Sequence, residues 1–435
     1  MKRDIYKKLV KWKKSTRRKP LILCGARQVG KTYVLKEFAS KEYESNIYIN
    51  FEEETKIKNV FEEDLPAEKI IEYLEIYFHQ KIYPGKTLIF FDEIQSSPQI
   101  LKSLKYFNEK FNEYHIITAG SLLGISLSGA QSFPVGKVNF LDMYPLSFDE
   151  FVTAIGKEKI LTVVPELKKK QERVPEPFHK ELLELLKLYY YVGGMPEVVA
   201  NYITNKNLDQ TREIQHEILT SYINDFSKHS SKNEALKIRQ IWESIPLHLS
   251  KENKNFILSA VKSSARAREY ETALQWLFDA GLIIKVSNVS KPLIPLKAYS
   301  EKQFKVYMLD VGLLGAMTNL NQETLLFKNE LFTHFKGALV ENYVVQQLFP
   351  FKELFYWSSS GIAEIDLIIN INDYICPVEI KAGINLKAKS LILYQKKYNP
   401  FVLFRSSMSN FNVQKKLFDC PLYAVNKIIN FNDFK

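Results

Sequence analysis

The stretch LILCGARQVGKTYVLKEFA, Leu21 to Ala39, reads as an apolar strand, a glycine-bearing turn and a helix in immediate succession. Leu21 to Cys24 are all apolar, with none of the alternation of a half-exposed strand, so a strand buried on both faces is expected. Gly25 and Gly30 let the backbone turn so tightly that successive N–H groups point inward, and the positive end of the following helix adds to them. Such a turn predicts a cradle for a phosphate chain, built from Gly25, Ala26, Arg27, Gln28, Val29, Gly30, Lys31, Thr32 and Tyr33. Lys31 is expected on the β- and γ-phosphates of ATP, and the Thr32 hydroxyl on magnesium.

A second, independent signal lies downstream in TLIFFDE, where four apolar residues, Leu88 to Phe91, deliver Asp92 and Glu93 at the carboxyl end of a buried strand. There Asp92 is expected to hold Mg2+ through its water shell and Glu93 to polarise the attacking water, which makes the reaction ATP hydrolysis. HIITAGS supplies a polar strand end, with Ser121 preferred over Thr118 as the group that senses the γ-phosphate; a plain strand-end cap is the alternative. With IYINFE before and KVNFLDMY after, the first 150 residues alternate strand and helix, the pattern of a parallel α/β sheet of the P-loop NTPase kind over residues 1–155.

Residues 156–325 read as a helical lid followed by a winged-helix-like linker, in which short helical segments precede the strands LIIKVSNVS and FKVYMLD. VGGMPE, at Val192 to Glu197, demands a turn between two helices, and the aromatics Tyr189 to Tyr191 before it are expected to pack against the first domain. Arg266 and Arg268 precede a helix with an apolar face and offer a DNA contact, or else pair with Glu269 and Glu271. Residues 326–435 return to α/β, with a helix over ALVENYVVQQLF and strands in ELFYWSS, EIDLIIN, CPVEIKA and FVLF. Strand alternation puts Glu364 and Asp366 on one face and Glu379 and Lys381 on another shared face, so carboxylates and a lysine aim at one spot. A cross-strand ion pair is the other reading of the same pattern.

GARQVGKT, FFDEIQ, TAGS, YPLSFDEF and YYYVGGMPEVV occur in the order seen in a large family of prokaryotic AAA-type ATPases whose C-terminal half is a domain of unknown function, and the chain resembles that family over nearly its whole length. The resemblance implies that the strand HIITAG is inserted between the phosphate-loop strand and the Asp-Glu strand. Where such relatives carry Gly-Arg before the PLSF motif, this chain has Gly136 and Lys137, a departure at the point of an arginine finger. With Glu341 on the preceding helix, the C-terminal acids resemble the E…D…ExK pattern of the PD-(D/E)xK nuclease superfamily, a restriction-endonuclease-like fold. That likeness implies a second Mg2+ or Mn2+ on Glu341, Asp366 and Glu379, with Lys381 beside the attacked phosphate and Gln395 as a further polar contact.

Charge and composition bound the partners. The 435 residues carry a formal charge of +11, but residues 1–20 hold ten Lys or Arg against one Asp, and 380–418 hold eight basic residues and no acid. Two basic patches of this kind suit DNA or RNA phosphates, or are solvated faces. Deleting residues 1–20 is expected to weaken polyanion binding in a salt-dependent way and to spare ATP binding. Three cysteines without C-x-x-C spacing and seven histidines without a ligand pair point away from a disulfide framework or structural zinc. No apolar run nears the roughly 18 residues of a membrane span, and the basic N-terminus lacks the apolar core of a signal peptide, so a cytoplasmic protein is expected. The reading is an ATP-hydrolysing protein that couples nucleotide state to a nuclease-like domain acting on or docking to nucleic acid. Its rivals are an ATP-gated interaction module without cleavage and a plain, slow nucleotide switch; the oligomeric state stays open.

Overall fold

Five strands build the first sheet of this computed structural model: β1 (Leu21–Cys24), β2 (Ser45–Asn50), β3 (Thr87–Asp92), β4 (His115–Gly120) and β5 (Asn139–Asp142). Their order is β2-β3-β4-β1-β5 and every pairing is parallel. Strand β4 thus lies between β1 and β3, as the resemblance implied. Residues 1–61, 66–120, 134, 136–228, 230–261, 267–323, 333–359, 363–383 and 389–433 are described. Residues 1–144 with 279–281 form one compact unit, here unit 1, and 145–278 with 282–435 form unit 2.

Every residue of β1, β3 and β4 is buried, which explains the apolar runs Leu21–Cys24 and Leu88–Phe91 and the largely apolar β4. Unit 1 also contains α1 (Ile5–Lys13), α2 (Lys31–Glu42), α3 (Thr55–Val60), α4 (Ala67–Phe78) and α5 (Pro98–Lys110). Ile22, Ile89, Phe91 and Ile116 of the sheet share one apolar cluster with Ile57, Leu74, Leu104 and Phe107 of the last three helices. Each such fully buried side chain is worth about 1.5–3 kcal/mol. Helix α1 is amphipathic: Ile5, Leu9 and Trp12, at helical spacing, are buried, while Lys7, Lys8, Lys11 and Lys14 are exposed.

Unit 2 begins with α6 (Phe148–Ala154), started by a capping box in which the Glu150 amide donates to Ser147 Oγ (3.2 Å) and the Ser147 amide to Glu150 Oε2 (3.0 Å). Then come α7 (Glu176–Val192), α8 (Pro196–Asn205), α9 (Leu208–Phe226), α10 (Lys232–Ser250), α11 (Ala267–Asp279), α12 (Val311–Met317), α13 (Thr333–Leu348) and α14 (Lys389–Tyr398). Its strands are β6 (Ile283–Val289), β7 (Ser300–Met308), β8 (Phe355–Ser359), β9 (Ala363–Ile371), β10 (Tyr374–Ile380), β11 (Leu403–Ser407), β12 (Asn412–Gln414) and β13 (Leu417–Pro421). They form one mixed, eight-stranded sheet, β12-β13-β11-β10-β9-β8-β6-β7. The hairpin β6–β7 expected of the winged-helix-like linker is present, and it extends the C-terminal sheet through a parallel pairing of β6 with β8. Tyr189 packs edge-on to Phe148, Phe151 and Tyr343, with ring centroids 5.9, 5.3 and 5.8 Å away.

The GGMPE turn follows from close backbone approach. Gly193 ends α7 at φ +74°, a left-handed value, and Pro196 opens α8. The Leu146 amide donates to the Gly194 carbonyl at 2.7 Å, and the Gly194 amide to Asp310 Oδ2 at 2.7 Å. Asp310 also caps α12 by accepting from the Leu313 amide (3.0 Å) and accepts from Gln346 Nε2 (3.1 Å), so one buried carboxylate ties three segments. A Cβ on Gly194 would lie 2.2 Å from the Leu146 carbonyl oxygen. Gly194→Ala is therefore expected to destabilise the protein by about 1–3 kcal/mol, the usual cost of overpacking, as measured by urea unfolding against wild type.

Candidate nucleotide site and acidic centre

Strand β1 hands the chain to the glycine loop at Gly25, where φ is +154° and a Cβ would meet the Met143 carbonyl oxygen at 2.3 Å. Gln28 and Gly30 are left-handed, at φ +63° and +93°, and Gly30 is the N-cap of α2. Lys31 is buried, and its Nζ donates to the carbonyls of Gly25 and Ala26, both at 2.9 Å. Burial pulls its pKa down, against the charges of Glu93 and Asp92. The Thr32 hydroxyl donates to Asp92 Oδ2 at 2.7 Å. Tyr48 donates to the same oxygen at 3.2 Å, and the Glu93 amide donates to Oδ1 at 3.1 Å. Burial raises the Asp92 pKa against the Thr32 hydrogen bond, with Glu93 adding to the rise. Glu93 itself is at φ +50°, and its Oε2 accepts from the Gln95 side-chain Nε2. A non-glycine residue held there is backbone strain at a strand end, of order 1–3 kcal/mol.

The rest of the loop is placed as follows. Arg27 lies 3.7 Å from Glu52, and the Tyr33 ring is exposed. The Val29 carbonyl accepts from Arg3 at 3.0 Å, and a second nitrogen of Arg3 donates to the Tyr144 carbonyl at 2.5 Å. The basic N-terminus is thus tied to the phosphate loop through Arg3, a contact that removal of residues 1–20 would delete. Ser121 lies outside the described residues; Thr118 of β4 is buried, its hydroxyl without a hydrogen-bond partner among them. Lys137 bonds Glu109 at 2.8 Å. Arg266 and the Arg268 side chain also lie outside the described residues.

In unit 2, Glu341 of α13, Glu364 and Asp366 of β9, and Glu379 with Lys381 at the end of β10 are brought together, with two lysines from distant sequence. Lys254 bonds Glu341 Oε1 and Tyr307 donates to Glu341 Oε2 at 3.2 Å. Lys305 of β7, its side chain fully buried, bonds Glu364, and Lys381 bonds Glu379 Oε1 at 2.5 Å. Asp366 Oδ2 accepts from the Ile380 amide at 2.7 Å, while Glu379 Oε2 is buried without a partner among the described residues. Burial, with Glu379 and Glu341 nearby, pushes the Asp366 pKa well up, and burial raises that of Glu379 despite Lys381. Glu341 is pulled down against its burial by Lys254 and Lys305. Burial alone would lower the Lys305 pKa, but Glu341, Glu364 and Asp366 around it hold it above its ordinary value. Among the described residues no group of three or more His, Cys, Asp or Glu is arranged to hold a metal ion.

Residues 17–152 match the family model described as an AAA domain. Unit 1 is a P-loop AAA-type domain. Residues 183–324 and 336–425 match two domains of unknown function, DUF8612 and DUF4143. An uncharacterized protein of Methanocaldococcus jannaschii is 27% identical over 369 residues, 80% of this chain and 71% of its own. Among solved structures, a Walker-type ATPase of Pyrococcus abyssi is 14% identical with a TM-score of 0.46, covering 73% of this chain and 95% of its own. Thermotoga maritima RuvB is 17% identical with a TM-score of 0.30, covering 68% and 92%. No described helix is long and apolar enough to cross a membrane.

An AAA domain implies a nucleotide and typically magnesium, and the residues here fit that group. The buried Lys31 cation sits at a loop that only glycine can close, and a hydroxyl and a carboxylate meet at Thr32 and Asp92. Arg3, Tyr48 and Gln95 were not legible as site residues. Gln95 stood in the FFDEIQ motif without a role, and Arg3 was one of ten basic residues with nothing to single it out. Gly25→Ala would force the loop away from Met143. It is expected to lower affinity for a fluorescent ATP analogue at least tenfold, read by anisotropy titration.

Proposed function

We propose that the AAA domain binds and hydrolyses ATP, and that its nucleotide state gates docking of the protein to nucleic acid, with unit 2 as a non-cleaving module. The single observation that carries the ATP half is the Thr32–Asp92 hydrogen bond at 2.7 Å, because it joins the phosphate loop to the acidic strand end. In this reading Lys31 neutralises the β- and γ-phosphates, Thr32 and Asp92 hold the magnesium, and Glu93, steadied by Gln95, orients the attacking water. Magnesium, when bound, spreads the charge that develops between the β- and γ-phosphates. Ser121, or Thr118 beside it in sequence, is the polar group that reads the γ-phosphate.

Support for a polyanion partner comes from α1, which turns Lys7, Lys8, Lys11 and Lys14 outward on one face while its apolar face is buried. For unit 2, docking is favoured over cleavage because each of Glu341, Glu364 and Glu379 is already held by a lysine. The cleaving alternative keeps Asp366 and Glu379 as metal ligands, with Glu341 completing the shell and Lys381 beside the attacked phosphate.

Two measurements test the reading. Lys31→Ala should abolish nucleotide binding, whereas Glu93→Gln should keep it and lower phosphate release by a factor of about 10²–10⁴, the usual worth of a positioned base. Unchanged turnover in Glu93→Gln would remove Glu93 as the base. Replacing Lys7, Lys8, Lys11 and Lys14 by Ser should flatten the slope of log affinity for DNA against log salt by roughly 0.9 for each phosphate that is no longer neutralised. An unaltered slope would make α1 a solvated face.

A further inference from the structure

Lys305 comes from β7, in the hairpin expected of the linker, and reaches the acidic centre because β6 and β7 complete the C-terminal sheet. Its side chain is fully buried, its Nζ bonds Glu364, and the Tyr356 ring centroid is 4.7 Å from that nitrogen. Glu341 and Asp366 are the other charges that act on it. Burying an ammonium is costly unless opposite charge and hydrogen bonds surround it, and here they do. The pairing extends outward, since Lys254 holds Glu341 and Lys381 holds Glu379. Lys381 is about one-third exposed, whereas the Lys305 side chain is fully buried.

We infer that the Lys305 ammonium is the resident cation of this centre and takes the place that a divalent ion would need among Glu341, Glu364 and Asp366. A metal among those carboxylates would sit beside a fixed positive charge that cannot withdraw, and Glu364 could join it only by breaking the Lys305–Glu364 bond. Glu341 and Glu364 are therefore committed to holding β7, β9 and α13 together. The inference deepens the docking reading of unit 2, but it stands on the lysine geometry and not on the α1 surface.

The test uses the full chain without nucleotide and Mn2+ alone as probe, with free Mn2+ followed by electron paramagnetic resonance. Wild type is expected to show no Mn2+ binding that Asp366→Asn removes, up to millimolar metal. Lys305→Met, which keeps the stem and deletes the charge, should gain Mn2+ binding tighter by roughly tenfold or more, and adding Asp366→Asn should abolish it. Stoichiometric binding to wild type that Asp366→Asn abolishes would overturn the inference, and that arm needs no Lys305 variant to fold. A folded Lys305→Met, checked by circular dichroism, that gains no Mn2+ would overturn it equally. The salt slope of DNA binding is a separate readout, so loss of the docking reading leaves this result intact, and the reverse.

Discussion

The AAA domain turns on one geometric constraint, that a parallel sheet brings the carboxyl ends of its strands to a single edge. Because β4 is inserted between β1 and β3, the loop after β1 and the acids after β3 start about 10 Å apart, two strand spacings. The gap is closed by the first turn of α2, which puts the Thr32 hydroxyl 2.7 Å from Asp92. Neither partner would be useful alone: a glycine loop without a carboxylate has nothing to hold a cation, and an acidic strand end without the loop has no phosphate.

Around that contact the domain places strain and burial where chemistry needs them. Glu93 and Gln28 take left-handed backbone conformations open to few side chains, and Gly25 is pressed against Met143. Asp92 and Lys31 are both taken out of water, which moves their pKa values toward the neutral forms and leaves each in need of an opposite charge. The anchor is remote: Arg3 fastens the loop carbonyl of Val29, so the first residues of the chain help to set the geometry of the twenty-ninth.

Unit 2 solves a different problem with similar groups. Its eight-stranded sheet joins the hairpin of residues 283–308 to the strands of the last eighty or so residues, and the seam is where acids and lysines accumulate. Buried ion pairs add little net stability over apolar packing but are costly to break singly, so they fix which strands go together. Asp310 plays the same part at the other end of the helices, collecting Gly194, Leu313 and Gln346.

Local pattern alone determined the phosphate loop, the Asp92–Glu93 strand end, the strands β1 to β11 and the α/β class, but not β12 and β13. Each rests on a few neighbouring residues whose backbone requirements are strict: glycine where φ is positive or a carbonyl approaches, unbroken apolar runs where both faces are covered. Alternation likewise put Glu364 with Asp366 and Glu379 with Lys381. Only the tertiary structure decided what those charges face. Lys305 and Lys254 sit 59 and 87 residues from the acids they bond, and Arg3 sits 26 residues from Val29. No periodicity marks such residues, because a lysine on a strand reads as solvated until the sheet closes over it. Strand order was the missing information: it is set by which apolar faces can be buried together over the whole chain, and it alone brought a cation into the middle of the acids.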